Sequence, residues 1–175
     1  LLLEEGRSVL DIGSGWGGMA SYLSKRSNVN VKGVTLSEEQ IAYSQQRKID
    51  ESLDKVEYAL QDYRKVEESF DRIVSVGMFE HVGTPHYQEF FNKIYKLLNE
   101  KGVALIHTIG RIDQPTTNDP WIEKYIFPGG YIPALSEVMQ RIEKSGLTTT
   151  DIQVLKFHYA ETLKRWRYNF YDNID

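Results

Sequence analysis

The densest chemistry of the chain lies between residues 9 and 18, where the apolar run Val9-Leu10-Asp11-Ile12 passes straight into Gly13-Ser14-Gly15-Trp16-Gly17-Gly18. A glycine-rich turn between a strand and a helix sits at the carboxyl edge of a parallel sheet, where open α/β sheets bind their ligands. Gly13 and Gly15 remove side chains that would hold a ligand off the backbone. The following helix N-terminus offers free N–H groups to a carboxylate or phosphate. The run also satisfies G-x-G-x-x-G, a pattern that serves a dinucleotide, another charged ligand, or a tight turn with no ligand at all.

The second strand narrows the choice. A dinucleotide fold places an Asp or Glu at that strand's end to hold the ribose hydroxyls, but here the end is Val34-Thr35-Leu36. Glu38 and Glu39 already lie in the next helix's first turn, where they complement its dipole. Asp11, at the end of strand one, can organise the loop or meet a ligand ammonium. A small charged amphiphile such as S-adenosylmethionine (SAM) therefore fits better than NAD(P). Gln61-Asp62-Tyr63, after the third strand, supplies a carboxamide, a carboxylate and an aromatic face suited to adenine, although Tyr63 equally suits ordinary packing.

The elements that must position these residues follow a βαβ pattern, which predicts a mostly parallel sheet flanked by helices. Strands are expected over Ser8–Ile12, Val29–Thr35, Val56–Leu60, Arg72–Val76 and Val103–Thr108, with a weaker sixth over Thr148–Phe157. Helices are expected over Trp16–Arg26, Ser37–Asp54, His86–Asn99 and Ser136–Ser145. Ser37-Glu38-Glu39-Gln40 reads as a capping box, and Gly102 and Gly146 as glycines closing helices. Gly110–Tyr131 is irregular, with Pro115, Pro120 and Pro128 beside Trp121, Tyr125, Phe127 and Tyr131. It reads as a structured loop over a site.

Composition sets the outer limits. The 175 residues, 41% hydrophobic and 26% charged, suit one globular domain with a real core. With no cysteine, disulfides, thiolate metal sites and cysteine nucleophiles are excluded within these residues. The 21 basic and 25 acidic side chains argue against a surface that grips nucleic acid. No apolar run is long enough to span a membrane, and no His, Asp or Glu set has metal-ligand spacing.

At Gly77-Met78-Phe79-Glu80-His81-Val82-Gly83 and His107-Thr108-Ile109-Gly110, the sequence resembles the SAM-dependent cyclopropane-fatty-acyl-phospholipid synthases and the related mycolic acid cyclopropane synthases. Further matching blocks are Gly33-Val34-Thr35-Leu36-Ser37, Gln61-Asp62-Tyr63-Arg64, Asp119-Pro120-Trp121-Ile122, Tyr125 to Gly130, and Tyr159. The resemblance implies a Rossmann-like class I methyltransferase fold. It implies that Gly13 and Gly15 contact the methionine part of SAM, that Thr35, Leu36 and Gln40 reach the ribose and adenine, that Tyr63 sits by adenine, and that Val76 lines the pocket; Asp11 and Asp62 are the pocket's expected carboxylates. It further implies bicarbonate beside the reactive methyl, held by Glu80, His107, Tyr159 and the backbone of Ile109. The implied reaction is attack of a cis double bond on the sulfonium methyl, then loss of a methyl proton to close the ring. A carbocation needs a water-excluded pocket, a nearby anion and a weak base, and the aromatic loop would wall an acyl chain.

The implied partners are unsaturated phospholipid acyl chains at a membrane surface, for a cytoplasmic, peripherally associated enzyme that can form a homodimer. Lys164, Arg165 and Arg167 read either as headgroup contacts or as a solvated helix face. Relative to the family, the chain is expected to be a core short of an N-terminal lid and a last edge strand, binding SAM weakly. Two other readings stay open: a small-amine N-methyltransferase on the same core, and a non-catalytic SAM- or lipid-binding module.

Overall fold

The computed structural model describes residues 1–174. Five strands form one sheet: β1 (Ser8–Ile12), β2 (Asn30–Thr35), β3 (Val56–Leu60), β4 (Phe70–Val76) and β5 (Leu98–His107). All pairings are parallel and the spatial order is β3-β2-β1-β4-β5. The order reverses beside β1, so the crevice at the carboxyl end of β1 is the topological switch point where such sheets take ligands. Helices α1 (Gly18–Ser27), α2 (Glu38–Asp50), α3 (Tyr87–Leu97), α4 (Pro120–Tyr125), α5 (Leu135–Ser145) and α6 (Lys156–Asp172) complete the chain.

The pleat sends alternate side chains to two cores. Leu10, Ile12 and Ile73 join Phe79, Tyr87, Phe90, Phe91 and Ile94 on one face, with Val138 and Ile142 of α5 packed outside. Val9 and Val74 join Ala20, Leu23, Ile41 and Val56 on the other, under α1 and α2. That second face is covered over β1, β2 and β3 and thins toward β5, where Leu105 is 41% exposed and Val76 39%. Leu1 and Leu3 pack there, drawn in by the buried Arg72 guanidinium, which donates to the carbonyls of Leu1 and Leu2.

Several sequence expectations change: α2 stops at Asp50 and not Asp54, and α4 and α6 form outside the four expected helix ranges. Helix α1 starts at Gly18 and not Trp16, because Gly17 at φ +79° is a left-handed N-cap. The sixth strand is absent: residues 148–155 are irregular, and Lys156 and Phe157 open α6. Ile152 and Val154 alternate as a strand would, yet both are about half exposed, so the alternation has no face to bury against. Gly102 lies inside β5, because α3 ends at Leu97 and the pairing jumps from Phe70–Leu98 to Arg72–Val103. The extra residues bulge, and a Cβ at Gly102 would meet the Asn99 carbonyl at 2.8 Å. Gly146 does close α5, at φ +88°.

Candidate active site

The cofactor half of the site is built on the turn after β1. Gly13 and Ser14 donate their amides to the Val34 carbonyl, 3.0 Å each, which ties the loop to β2. Gly13 stands at φ +80°, and a Cβ there would lie 2.8 Å from Met78; at Gly15, φ +54°, a Cβ would meet nothing within 4 Å. One glycine is thus demanded by packing and the other opens a space over the backbone.

Beneath the turn, Asp11 is 2% exposed, and both its Oδ2 and the Ser14 hydroxyl are buried without a partner. Burial pushes the Asp11 carboxyl from 3.8 up to about 7. An orphaned buried carboxyl at the switch point fits a cationic group such as a ligand ammonium. At the end of β2, the Thr35 hydroxyl donates to Gln40 Oε1 at 2.7 Å, and the Ser37 hydroxyl accepts from the Gln40 amide at 3.2 Å. Only half of the capping box forms. The Gln40 side chain turns to Thr35, leaving its NH2 as the spare donor. Leu36 is 71% exposed beside them.

Asp62 and Tyr63 are already engaged. The Asp62 carboxylate caps the short turn Tyr63–Lys65 and pairs with Arg64, which holds it below its usual range. The Tyr63 ring packs edge-on against Phe90 at 5.5 Å, and burial pushes its phenol up to about 12.

The second half gathers beyond β4 and β5, whose register sets Val76 opposite His107. Glu80, 6% exposed, follows β4 in the turn Phe79–His81. Its Oε1 accepts the Ile109 amide at 2.6 Å, its backbone carbonyl accepts the Tyr131 amide at 2.9 Å, and its Oε2 is buried without a partner. His107 is exposed at the end of β5, and its carbonyl accepts the Gly77 amide. Glu80, Ile109 and His107 therefore share one end of the sheet. Tyr159 does not join them: it is 43% exposed, its ring meets Trp166 of the same helix, and no residue of α6 is buried. Trp121 and Tyr125 of α4 lie 5.8 Å apart, each about 60% exposed. Arg165 pairs with Glu161, and Arg167 lies over Tyr171, all on the solvated α6.

Three positions escaped the sequence reading. The Tyr58 hydroxyl donates to the Gly17 carbonyl at 2.9 Å beneath the glycine loop. The absence of a Cβ at Gly17 and Gly33 leaves room for that ring. Arg111 and Asn118 brace the aromatic loop through polar contacts that no periodicity announces. Among the described residues, no group of three or more His, Asp or Glu is placed to hold a metal, and no helix is long and apolar enough to cross a membrane.

Strand order, glycine turn and orphaned acid together define a Rossmann-like α/β fold with its ligand crevice at the carboxyl end of β1. Known proteins agree. A family model described as mycolic acid cyclopropane synthetase matches residues 1–175, and the chain belongs to that family. It is 44% identical over 170 residues to the cyclopropane-fatty-acyl-phospholipid synthase of Escherichia coli (strain K12), an alignment covering 97% of this chain and 44% of that protein. The chain thus spans less than half the length of that relative. Among solved structures, mycolic acid cyclopropane synthase CmaA1 complexed with SAH and CTAB superposes with TM-score 0.87 at 33% identity, covering 99% of this chain and 66% of that one. Phosphoethanolamine N-methyltransferase 2 of Haemonchus contortus in complex with S-adenosyl-L-methionine gives TM-score 0.87 at 25% identity, covering 98% and 40%.

Proposed function

We propose that this chain is the catalytic core of an enzyme that uses SAM to add a methylene group across the cis double bond of unsaturated phospholipid acyl chains, closing a cyclopropane ring. The reading places the work at a membrane surface, by a cytoplasmic, peripherally bound enzyme, with a homodimer as the assembly to test. SAM, when bound, supplies an electrophilic methyl on sulfonium; bicarbonate supplies the weak base that a methyl proton needs. Asp11 meets the ammonium of the cofactor, Gly15 lets its amino-acid end approach the backbone, Thr35 and Gln40 hold the ribose, and Leu36 and Val76 border the rings. Asp62 and Tyr63 contribute through the turn they organise.

The observation that carries the reading is Glu80. A buried carboxylate with one oxygen fixed by the Ile109 amide and the other unpartnered is an acceptor waiting for an acidic hydrogen. The hydroxyl of a bicarbonate ion offers one, while His107 supplies a donor to its oxygens; Tyr159 adds its hydroxyl only where the exposed α6 is brought onto this end of the sheet. Trp121 and Tyr125 offer an apolar wall to an acyl chain and a π face to developing positive charge.

The test incubates the intact protein with SAM and vesicles of cis-unsaturated phospholipid, with mass spectrometry of the acyl chains. A mass gain of one methylene, with fragmentation assigning a ring and not a branch, is the expected result. No gain, together with methylation of a small amine, would select the N-methyltransferase reading that the likeness to the Haemonchus enzyme favours. SAM affinity without any transfer would select a binding module.

A further inference from the structure

The loop from Gly110 to Tyr131 is closed at both ends on one residue. Its entry, the Ile109 amide, donates to Glu80 Oε1 at 2.6 Å, and its exit, the Tyr131 amide, donates to the Glu80 carbonyl at 2.9 Å. Both ends thus meet at Glu80, and just beyond them Arg111 and Ala134 form a β-bridge in which the Leu135 amide donates to the Arg111 carbonyl at 3.3 Å.

Asn118 adds a side-chain clamp to these bonds. Its Nδ2 donates to the Gly130 carbonyl at 2.6 Å and its Oδ1 accepts from the Ile132 amide at 3.3 Å, so the side chain clamps the peptide units on either side of Tyr131. The same Oδ1 accepts from Arg111 Nη2 at 3.3 Å, while Arg111 Nε donates to the Ile132 carbonyl at 3.0 Å and its amide to the Pro133 carbonyl at 2.9 Å. Arg111 is two residues past Ile109. The chain of contacts therefore closes: Glu80, Ile109 to Arg111, Asn118, Gly130 to Ile132, and back to Glu80. Asn118 and Arg111 are both half-buried, where such bonds are shielded from competing water.

We propose that Asn118, supported by Arg111, is a positioning residue that holds Glu80 and the aromatic loop in one fixed relation. The primary amide suits the task because it accepts on one side and donates on the other; a carboxylate accepts only. Asp119, the next residue, caps α4 by accepting from the Trp121 and Ile122 amides. The clamp thereby also sets where Trp121 and Tyr125 stand relative to Glu80. An acyl chain lying along α4 would be presented to the Glu80 end of the sheet at a distance fixed by Asn118. That last consequence rests on the function proposed above; the clamp itself does not.

Residue-resolved amide hydrogen exchange on the 175-residue chain tests the clamp directly, with Asn118→Ala and Asn118→Asp. The aspartate keeps the acceptor for Arg111 and Ile132 and loses only the donation to Gly130. The Ile109 and Tyr131 amides should exchange faster by at least about tenfold in the alanine variant and by less in the aspartate variant. The Gly13 and Ser14 amides should keep their wild-type rates. An Ile109 amide as protected as in the wild type, with faster exchange confined to residues 118 and 130–132, would show a merely local role and overturn the proposal. In the intact protein, Asn118→Asp should lower kcat on lipid with the KM for SAM unchanged. A wild-type protein inactive on lipid would overturn the proposed function while leaving the exchange result to decide the clamp.

Discussion

The turn after β1 and the loop after β5 both serve the carboxyl end of the same sheet, yet they are built differently. Around the glycine turn, Asp11 and Ser14 are buried, Gly13 abuts Met78, and Tyr58 fills the space left by Gly17 and Gly33. Around the second loop, His107, Trp121, Tyr125 and Tyr159 all reach solvent, while Glu80 is buried. The first region is held mainly by packing, with Gly13 against Met78 and the Tyr58 ring against Gly17 and Gly33. The second is held by a few hydrogen bonds between distant residues, Glu80 to Ile109 and to Tyr131. A packed region tolerates little change of volume. A polar-clasped one tolerates volume changes but fails when a single donor or acceptor is lost.

The sharpest separation should come from Glu80→Gln. Glutamine keeps an oxygen for the Ile109 amide, so the loop should stay closed, but it removes the charge and turns the free acceptor into an NH2 donor. Turnover of the intact protein on unsaturated phospholipid should drop by about 10²–10³, the scale for losing one preorganised electrostatic partner. SAH affinity by calorimetry should stay within about twofold, because the cofactor half is untouched. His107→Ala should split the two readouts in the same direction. Equal losses in turnover and affinity would erase the distinction between the regions.

Gly13→Ala probes a packed contact that joins them. The added methyl would lie 2.8 Å from the Met78 side chain, two residues before Glu80, at a backbone φ of +80°. Left-handed strain of about 1–2 kcal/mol and overpacking of about 1–3 kcal/mol should lower Tm. They should also weaken SAH binding by about 30-fold or more if some 2 kcal/mol falls on the bound geometry. Exchange of the Ile109 amide should be unchanged; if it quickens, Met78 transmits strain between the regions and they are one mechanical unit.

How far each region was legible in the sequence follows from the same contrast. The glycine turn rests on neighbours in sequence and on strand order, so Val9 to Gly18 announced strand, turn and helix, and Ser37 announced the start of α2. What failed there was fine detail: α1 begins at Gly18, and Gln40 turns to Thr35. In the second region the sequence motifs marked Glu80 and His107, which stand in the turn after β4 and at the end of β5. Asn118 and Arg111 went unseen because hydrogen bonds spanning 7 to 21 residues leave no periodicity. Thr148–Phe157 misled because β-branched alternation is a surface property that becomes a strand only with a partner. Gly102 misled because a glycine two to five residues past a helix serves a bulge as well as a cap.

Asp11 offers the smallest of these effects and the most specific. Its carboxyl is raised from 3.8 to about 7, with burial as the cause. The folded state therefore keeps a proton that the unfolded chain has lost between about pH 4 and 7. The stability due to this group is complete below the unfolded value and is lost as pH climbs through the folded one. A ligand ammonium beside Asp11 acts the other way, favouring the carboxylate, so binding should expel the proton. SAH affinity should accordingly rise by about tenfold between pH 5.5 and 7, with one proton released. Tyr58, the ionisable neighbour in the same pocket, has its phenol pushed up to about 12 by burial and stays protonated throughout. Asn at position 11 holds no titrating proton, so Asp11→Asn should bind more weakly near pH 7 and show a flat profile. Proton release measured by calorimetry in buffers of different ionisation enthalpy decides the matter. A flat wild-type profile, or a slope that survives in Asp11→Asn, would mean that the buried acid serves the packing of the turn and not the charge of the ligand.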